Sequence, residues 1–378
     1  KLYKEGDFST FASTGDIYCL FYECGWRLLK ENGHLCYITS NKWMRAGYGE
    51  KTREFFANKT NPMLLIDFAG VKIFESATVD TNILLFAKSN NLHKTVCAVI
   101  NKQNKESIKN LSDFVQQQDT ICDFSTSDSW VVLSPIEQSI KKKIEAVGTP
   151  LKDWDIQINY GIKTGCNEAF IISPEKRKEI LDNCQTEDER KRTAELIRPI
   201  LRGRDIKKYG YVENGLFLIN THNGIRGKLP RIDINDYPAV KAHLDRYWDK
   251  ISARADKGDT PYNLRNCAYL EDFNKPKIIY PDICTFLSFE LDTSCFYLSN
   301  TAYFLITEKE EHLKYFLRVL NSSVMDWYYR TLSVQLGEKA VRMFSIYVLN
   351  IPIPPISDEP IEEILKLSKE EKLFISGS

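Results

Sequence analysis

The chain has 378 residues, 43% of them apolar, and 51 basic residues balance 51 acidic ones. That length supports two or three domains with ordinary cores, and the zero net charge argues against a uniformly basic nucleic-acid binder, so local clusters matter more than the total. No apolar stretch is long enough to cross a bilayer, and the polar start Lys1–Ser13 holds no signal-peptide core. The ten cysteines and five histidines show no CxxC or HExxH spacing. No metal site is therefore expected, and the scattered thiols point to a reduced cytoplasmic setting.

In chain order, Leu20, Phe21, Cys24, Leu28 and Leu29 recur at helical spacing, which predicts a helix over 16–31 ended by Gly33. Leu35–Thr39 reads as a strand, Gly49–Asn58 as a helix, and Met63–Phe68 and Asn82–Ala87 as two more strands. About a dozen residues join those last two, too few for a parallel crossover, so an antiparallel pair at a sheet edge is expected. Lys94–Asn101 continues as a strand and Ser107–Gln118 as a helix. A polar boundary follows near 123–128, then a basic amphipathic helix over Ile136–Val147. From Trp154 the pattern changes to short, aromatic-rich elements, with a long helix-prone charged stretch over Glu175–Leu196. Three prolines in Ile351–Ile356 exclude regular helix, and Ile361–Lys372 reads as a charged helical tail. A sheet that begins at its helix, with no glycine-rich turn before it, reads as half a domain whose cofactor-binding turn lies upstream.

Three groups of residues carry a resemblance over roughly residues 1–88. They are Thr14-Gly15-Asp16-Ile17-Tyr18 through Glu23 with Leu28-Leu29-Lys30-Glu31-Asn32-Gly33-His34-Leu35, then Ile38-Thr39-Ser40-Asn41-Lys42-Trp43 with Gly47-Tyr48-Gly49, then Ile66-Asp67-Phe68 followed by Val71-Lys72-Ile73-Phe74-Glu75 and Ala77-Thr78-Val79. In order and spacing they resemble the segment after the catalytic Asn-Pro-Pro-Tyr of the Eco57I-like and TaqI-like N6-adenine methyltransferases. The resemblance implies S-adenosylmethionine as cofactor and a flipped adenine held by aromatic stacking. It places Phe74 in the stacking role and Phe21 in the lining of the methyl-donor pocket; a core aromatic is the competing reading for each. Lys42, at the carboxyl end of a strand where α/β sheets hold ligands, suits a DNA phosphate or plain solvent. Asn-Pro-Pro-Tyr itself is absent, since Asn61-Pro62 is followed by Met63. No catalytic residue carries over, and this stretch alone is not expected to transfer methyl groups.

A second set comprises Asn159-Tyr160-Gly161-Ile162-Lys163-Thr164-Gly165-Cys166-Asn167 and Ile197-Arg198-Pro199-Ile200-Leu201-Arg202-Gly203-Arg204-Asp205-Ile206. Lys275-Pro276-Lys277, Leu320-Asn321-Ser322 and Ile351-Pro352-Ile353-Pro354-Pro355 follow. Together they resemble the TaqI-like C-terminal specificity domain. Gly161 and Gly165 bracket a turn from which Lys163, Thr164 and Asn167 can project. Lys and Thr suit phosphate, and Asn suits an adenine edge. Arg198, Arg202, Arg204, Lys207 and Lys208 face a single acid, Asp205, in a local basic patch. The competing reading is a solvated turn whose arginines pair with nearby acids, and Arg254, Lys257 and Arg265 read as a solvated basic loop. Asp282, Glu290 and Asp292 lack the lysine that a metal-dependent nuclease would want where Asp292 stands.

The expected architecture is α/β: the C-terminal half of a Rossmann-like methyltransferase sheet, then an α+β target-recognition domain. Its boundaries fall at 1–124 for the catalytic part, 125–357 for recognition and 358–378 for a helical tail. The implied function is part of a site-specific DNA adenine-N6 methyltransferase of a restriction-modification system. Double-stranded DNA and the missing N-terminal catalytic half of the same protein are its expected partners, with no membrane. DNA contacts are expected at Lys42, Lys163, Thr164, Asn167, Arg202 and Arg204. The alternative is a catalytically silent sequence-specific DNA-binding module.

Overall fold

In the computed structural model, residues 6–69, 71–75, 79–101, 104–118, 120–333, 335–336 and 340–377 are described. The chain divides into two units. The first holds Lys1–Ala146, Trp327–Lys339 and Lys366–Ser378; the second holds Val147–Asp326 and Ala340–Leu365.

The first unit is a five-stranded sheet with helices on both faces. Its elements are α1 (Tyr18–Leu28), β1 (His34–Ser40), α2 (Glu50–Lys59), β2 (Asn61–Phe68), β3 (Thr81–Ala87), β4 (Thr95–Val99), α3 (Leu111–Gln116), β5 (Ile121–Cys122) and α4 (Pro135–Val147). Successive side chains of a strand point to opposite faces. Leu65, Leu84, Phe86 and Cys97 accordingly join Tyr22, Trp43 and Phe56 in one core. Ile66, Phe68 and Ala98 join a second core with Leu111 and Phe114. The strand order is β1-β3-β2-β4-β5, with β3 antiparallel to both neighbours and β2 parallel to β4. The short β2–β3 connection thus yields the expected antiparallel pair, but not at the edge. β3 is inserted between β1 and β2, because its Leu84 and Phe86 face one core and its Ile83 the other.

Packing carries this unit past the polar run at which the sequence reading drew its boundary. Residues 125–129 form a short bend exposed at Thr126 and Asp128, after which Trp130 is buried. Its ring stacks on Phe124 at 4.3 Å and meets Trp43 edge-on at 5.2 Å. The Ser134 amide and hydroxyl both donate to Glu137, a capping arrangement that starts α4. The charged tail is two separate pieces, Ile361–Ile364 and Lys369–Gly377. The latter lies against α4, where Glu371 accepts from Ser139 at 2.7 Å and Lys143 at 2.6 Å. Burial raises the Glu371 pKa, but Lys143, the Ser368 amide and Ser139 outweigh it and pull the carboxyl down to about 2. A carboxylate whose folded pKa is depressed stabilises above its unfolded pKa and loses that contribution as pH falls through the folded one. The melting-temperature gap between the parent and Glu371→Gln is therefore expected to be open above pH 4.5 and to close as pH falls toward 2.

The second unit carries β6 (Gln157–Tyr160), α5 (Asn167–Phe170), β7 (Ile171–Ile172), α6 (Pro174–Asp182), α7 (Glu187–Leu196), β8 (Ile197–Leu201), β9 (Ile206–Lys207), β10 (Gly210–Tyr211) and β11 (Phe217–Ile219). After α8 (Pro238–Asp245) come β12 (Lys277–Pro281), β13 (Glu290–Asp292), β14 (Tyr297–Leu298) and β15 (Ala302–Ile306). Two four-stranded sheets result, ordered β14-β8-β11-β7 and β13-β12-β15-β6. The helix-prone stretch over 175–196 breaks into α6 and α7 because each brings its own cap. Ser173 receives the Lys176 amide, and Thr186 receives that of Glu189. The core includes Phe170, Phe273, Tyr297 and Phe304, with Phe273 stacked on Tyr297 at 4.7 Å. Among the described residues no helix is long and apolar enough to cross a membrane.

Candidate nucleic-acid interface

Two glycines fix the geometry of the second unit's polar face by packing against one turn, Leu298–Thr301. The Gly161 amide donates to the Ala302 carbonyl at 2.9 Å, and the Ile162 amide to that of Leu298 at 2.6 Å. A β-carbon on Gly161 would stand 2.0 Å from the Ser299 carbonyl oxygen, and one on Gly203 would stand 2.1 Å from that of Thr301. Gly203 also donates its amide to Thr301 Oγ1 at 2.9 Å. The 161–167 turn and the 202–211 hairpin, distant in sequence, therefore spring from a common anchor.

Within the first of these, Gly165 takes the left-handed conformation, φ +67°. Thr164 does not project: it is 1% exposed, and its hydroxyl donates to Asn167 Oδ1 at 2.5 Å and accepts from the Cys166 amide. Asn167 is exposed at the start of α5, its oxygen tied back to Thr164. Lys163 is exposed but sits 3.2 Å from Asp256, which also meets Arg265 at 3.2 Å. The organiser of this corner is Arg254, which the sequence pattern assigned to a solvated loop and which is in fact buried. Its guanidinium lies over the Phe170 ring at 4.4 Å. It donates to the carbonyls of Thr164, Asp256, Pro261 and Asn263. Burial lowers its pKa to about 10, which leaves it charged at neutral pH. Nothing in the local pattern sets Arg254 apart from Lys257 or Arg265; four carbonyls converging on one guanidinium do.

The five basic residues of the hairpin region separate into two groups. Arg202 pairs with Asp205 through Nε at 2.9 Å and Nη2 at 3.0 Å, and Asn214 also reaches that carboxylate at 2.5 Å. For Arg202 the competing reading, an arginine paired with its acid, describes the geometry. Arg198 lies over Tyr297 and donates to Asn274 at 3.2 Å. Arg204, Lys207 and Lys208 are exposed. The hairpin is braced by Asn321, whose amide holds both sides of the Phe289 backbone, at 3.0 Å and 2.9 Å. The Phe289 carbonyl in turn receives the Tyr209 amide at 3.1 Å. Most residues of the second sequence set are thus structural, and the cations left exposed are those able to meet a partner.

In the first unit, Ser40 of β1 and Phe68 of β2 both pair with Thr81 of β3. The segments after β1 and β2 therefore leave the same end of the sheet, two strand spacings or roughly 10 Å apart. Lys42 is exposed on the 3-10 turn Asn41–Met44 at the end of β1. Phe74, after β2, is 44% exposed, and Phe21 on α1 is 51% exposed; neither is a core aromatic. Ala77 and Thr78 lie outside the described residues. Beneath these loops Asp67 is buried and accepts from Asn41 Nδ2 at 2.8 Å. Burial pushes the Asp67 carboxyl above its ordinary range, against the pull of Asn41. Asn82 Oδ1 receives both Trp43 Nε1 and Thr39 Oγ1 at 3.2 Å, locking the end of β1.

Residues 1–74 match the Eco57I restriction-modification methylase family, and residues 198–353 match the TaqI-like C-terminal specificity domain. The chain is thus similar to the Eco57I restriction-modification methylases over its first part and to the TaqI-like specificity domain over its later part. The type II methyltransferase M.BstVI of Geobacillus stearothermophilus is 21% identical over 372 residues, covering 92% of this chain and 62% of its own length. M.PaeR7I of Pseudomonas aeruginosa is 21% identical over 366 residues, covering 93% and 61%. The chain spans about three-fifths of the length of those relatives. Among solved structures, the type IIL restriction-modification enzyme MmeI in complex with DNA aligns with a TM-score of 0.55 at 12% identity, over 89% of this chain and 41% of that one. That likeness shows a shared fold.

Proposed function

We propose that this chain is the base-holding and sequence-reading part of a site-specific DNA adenine-N6 methyltransferase of a cytoplasmic restriction-modification system. The observation that carries the reading is the presence, in one chain and in order, of an Eco57I methylase segment and a TaqI-like specificity domain. An adenine within a duplex is unreachable and must be flipped out to be modified. Phe74, exposed at the sheet end that also carries Lys42, is assigned to stack on the flipped adenine, with Lys42 on a neighbouring phosphate. S-adenosylmethionine would supply the methyl group. Phe21 presents a half-exposed ring suited to line its site, while a preceding half of the protein would bring the glycine-rich turn and Asn-Pro-Pro-Tyr. In support, among the described residues β1 pairs with β3 alone, and Ile17, Phe21, Leu28 and Ile38 are exposed apolar residues on α1, β1 and just before α1. By itself the chain is assigned no methyl-transfer activity.

Recognition is assigned to the second unit, within 125–357. Arg204 is placed on phosphate and the amide nitrogen of Asn167 on a base edge. Lys163 and Thr164 take supporting places, the first held by Asp256 and the second shaping the turn. Binding measured across salt concentrations tests this. Arg204→Ala should weaken cognate and scrambled duplexes alike and flatten the salt dependence by about one unit of slope. Asn167→Ala should cost about 1–3 kcal/mol on the cognate duplex only. In the complete enzyme, Phe74→Ala should cut methylation by the equivalent of about 1–3 kcal/mol of stacking. Parent-like behaviour of all three variants would defeat the reading.

A further inference from the structure

The tip of the β9–β10 hairpin is built against backbone preference. Lys207 pairs with Gly210, so only Lys208 and Tyr209 form the turn. Tyr209 has φ +55°, the left-handed region that glycine and asparagine enter readily and a bulky aromatic does not. The neighbouring Gly210 takes no positive φ, so the glycine stands one residue past the position that needs one. Buried packing does not explain the exception, since the Tyr209 side chain is 55% exposed. Its ring has one described companion, the Lys208 ammonium at 5.9 Å, and its hydroxyl hydrogen-bonds to no described residue. What holds the strained residue in place is its backbone, through the amide bonded to Phe289 and the Asn321 brace behind it.

The same hairpin carries the exposed cations Arg204, Lys207 and Lys208, of which Lys208 reaches the ring and Lys207 donates to the Arg204 carbonyl at 2.8 Å, while its acid, Asp205, is buried and engaged by Arg202 and Asn214. An aromatic at a fixed turn apex, on a hairpin that exposes three cations, is complementary to a polyanion that also offers flat apolar faces. We propose that Tyr209 is an aromatic DNA-contact residue. The Lys208–Tyr209 turn enters a groove of duplex DNA, where the ring packs on a base or sugar and the three cations meet flanking phosphates. This rests on the DNA-recognition reading above and adds to it a contact that carries no charge.

Tyr209→Gly separates the two roles a tyrosine could have here, because glycine relieves the turn while removing the ring. Tyr209→Asn serves as the second variant, since asparagine also tolerates this conformation. The full chain is measured for thermal melting, and for affinity and salt slope on a duplex it selects from a random-sequence pool. The melting temperature is expected to hold or rise. Affinity should fall roughly 5- to 150-fold, the equivalent of stacking one base on an aromatic. The salt slope should be unchanged, in contrast to Arg204→Ala. Parent-like affinity in both variants, or a lower melting temperature with affinity intact, would overturn the role of Tyr209 while leaving DNA recognition standing. A parent chain that selects no duplex would overturn both.

Discussion

Lys277→Met is expected to lower the stability of the second unit by about 3–5 kcal/mol, the usual effect of stranding one member of a buried ion pair. Lys277 and Asp292 face each other directly in the β12–β13 register, and both side chains are fully buried. Their charged atoms are 2.6 Å apart. The lysine also donates to the Phe273 carbonyl at 2.7 Å, and the carboxylate accepts the amides of Ser294 and Phe296 at 2.8 Å and 2.9 Å. Burial pulls the Lys277 amine below its ordinary range against the attraction of Asp292, so the pair is not a large net stabiliser. Breaking it is another matter, because the carboxylate would remain in a dry core with two amides for company. Urea denaturation of Lys277→Met, Asp292→Asn and the double variant checks this. The double variant should recover much of what Lys277→Met loses. A loss under about 1 kcal/mol in Lys277→Met would mean that water reaches the pair.

The second large effect is expected at Gly203. Its replacement by alanine should destabilise by about 1–3 kcal/mol, or more if the turn cannot shift, and should abolish high-affinity DNA binding. The β-carbon would meet the Thr301 carbonyl oxygen at 2.1 Å and its carbon at 3.0 Å, backbone atoms that no side-chain rotation can clear. Either the hairpin or the Leu298–Thr301 turn must move, and the turn also anchors Gly161. The cations on the hairpin and the 163–167 turn would then lose their common footing. Gly210→Ala is the control in the same hairpin: a β-carbon there meets nothing within 4 Å and the residue has no positive φ. It should bind and melt like the parent. Equal behaviour of the two variants would remove Gly203 as an anchor.

Local pattern alone located most elements of the first unit, though not the short β5. Short apolar runs located β1, β2 and β3, helical spacing located α1, and the brief connection after β2 required an antiparallel partner. It also located the two motif sets that match known families. It did not determine that β3 lies between β1 and β2, because strand order depends on pairings between segments far apart in the chain. Nor did it show where the polar run at 125–129 leads: the burial of Trp130 beside Phe124 and Trp43 is a long-range contact with no local signature. Charged residues show the limit most sharply. Arg202, Arg204 and Arg254 are alike as letters, and one is bound to Asp205, one is exposed, and one is sealed among four carbonyls. A long cation can reach several partners, and the fold decides which carboxylates and carbonyls come within its reach. Tyr209 is the same case in the backbone: its left-handed turn is held by the Phe289 carbonyl, which receives its amide and is itself bonded by Asn321, a contact far away in the sequence.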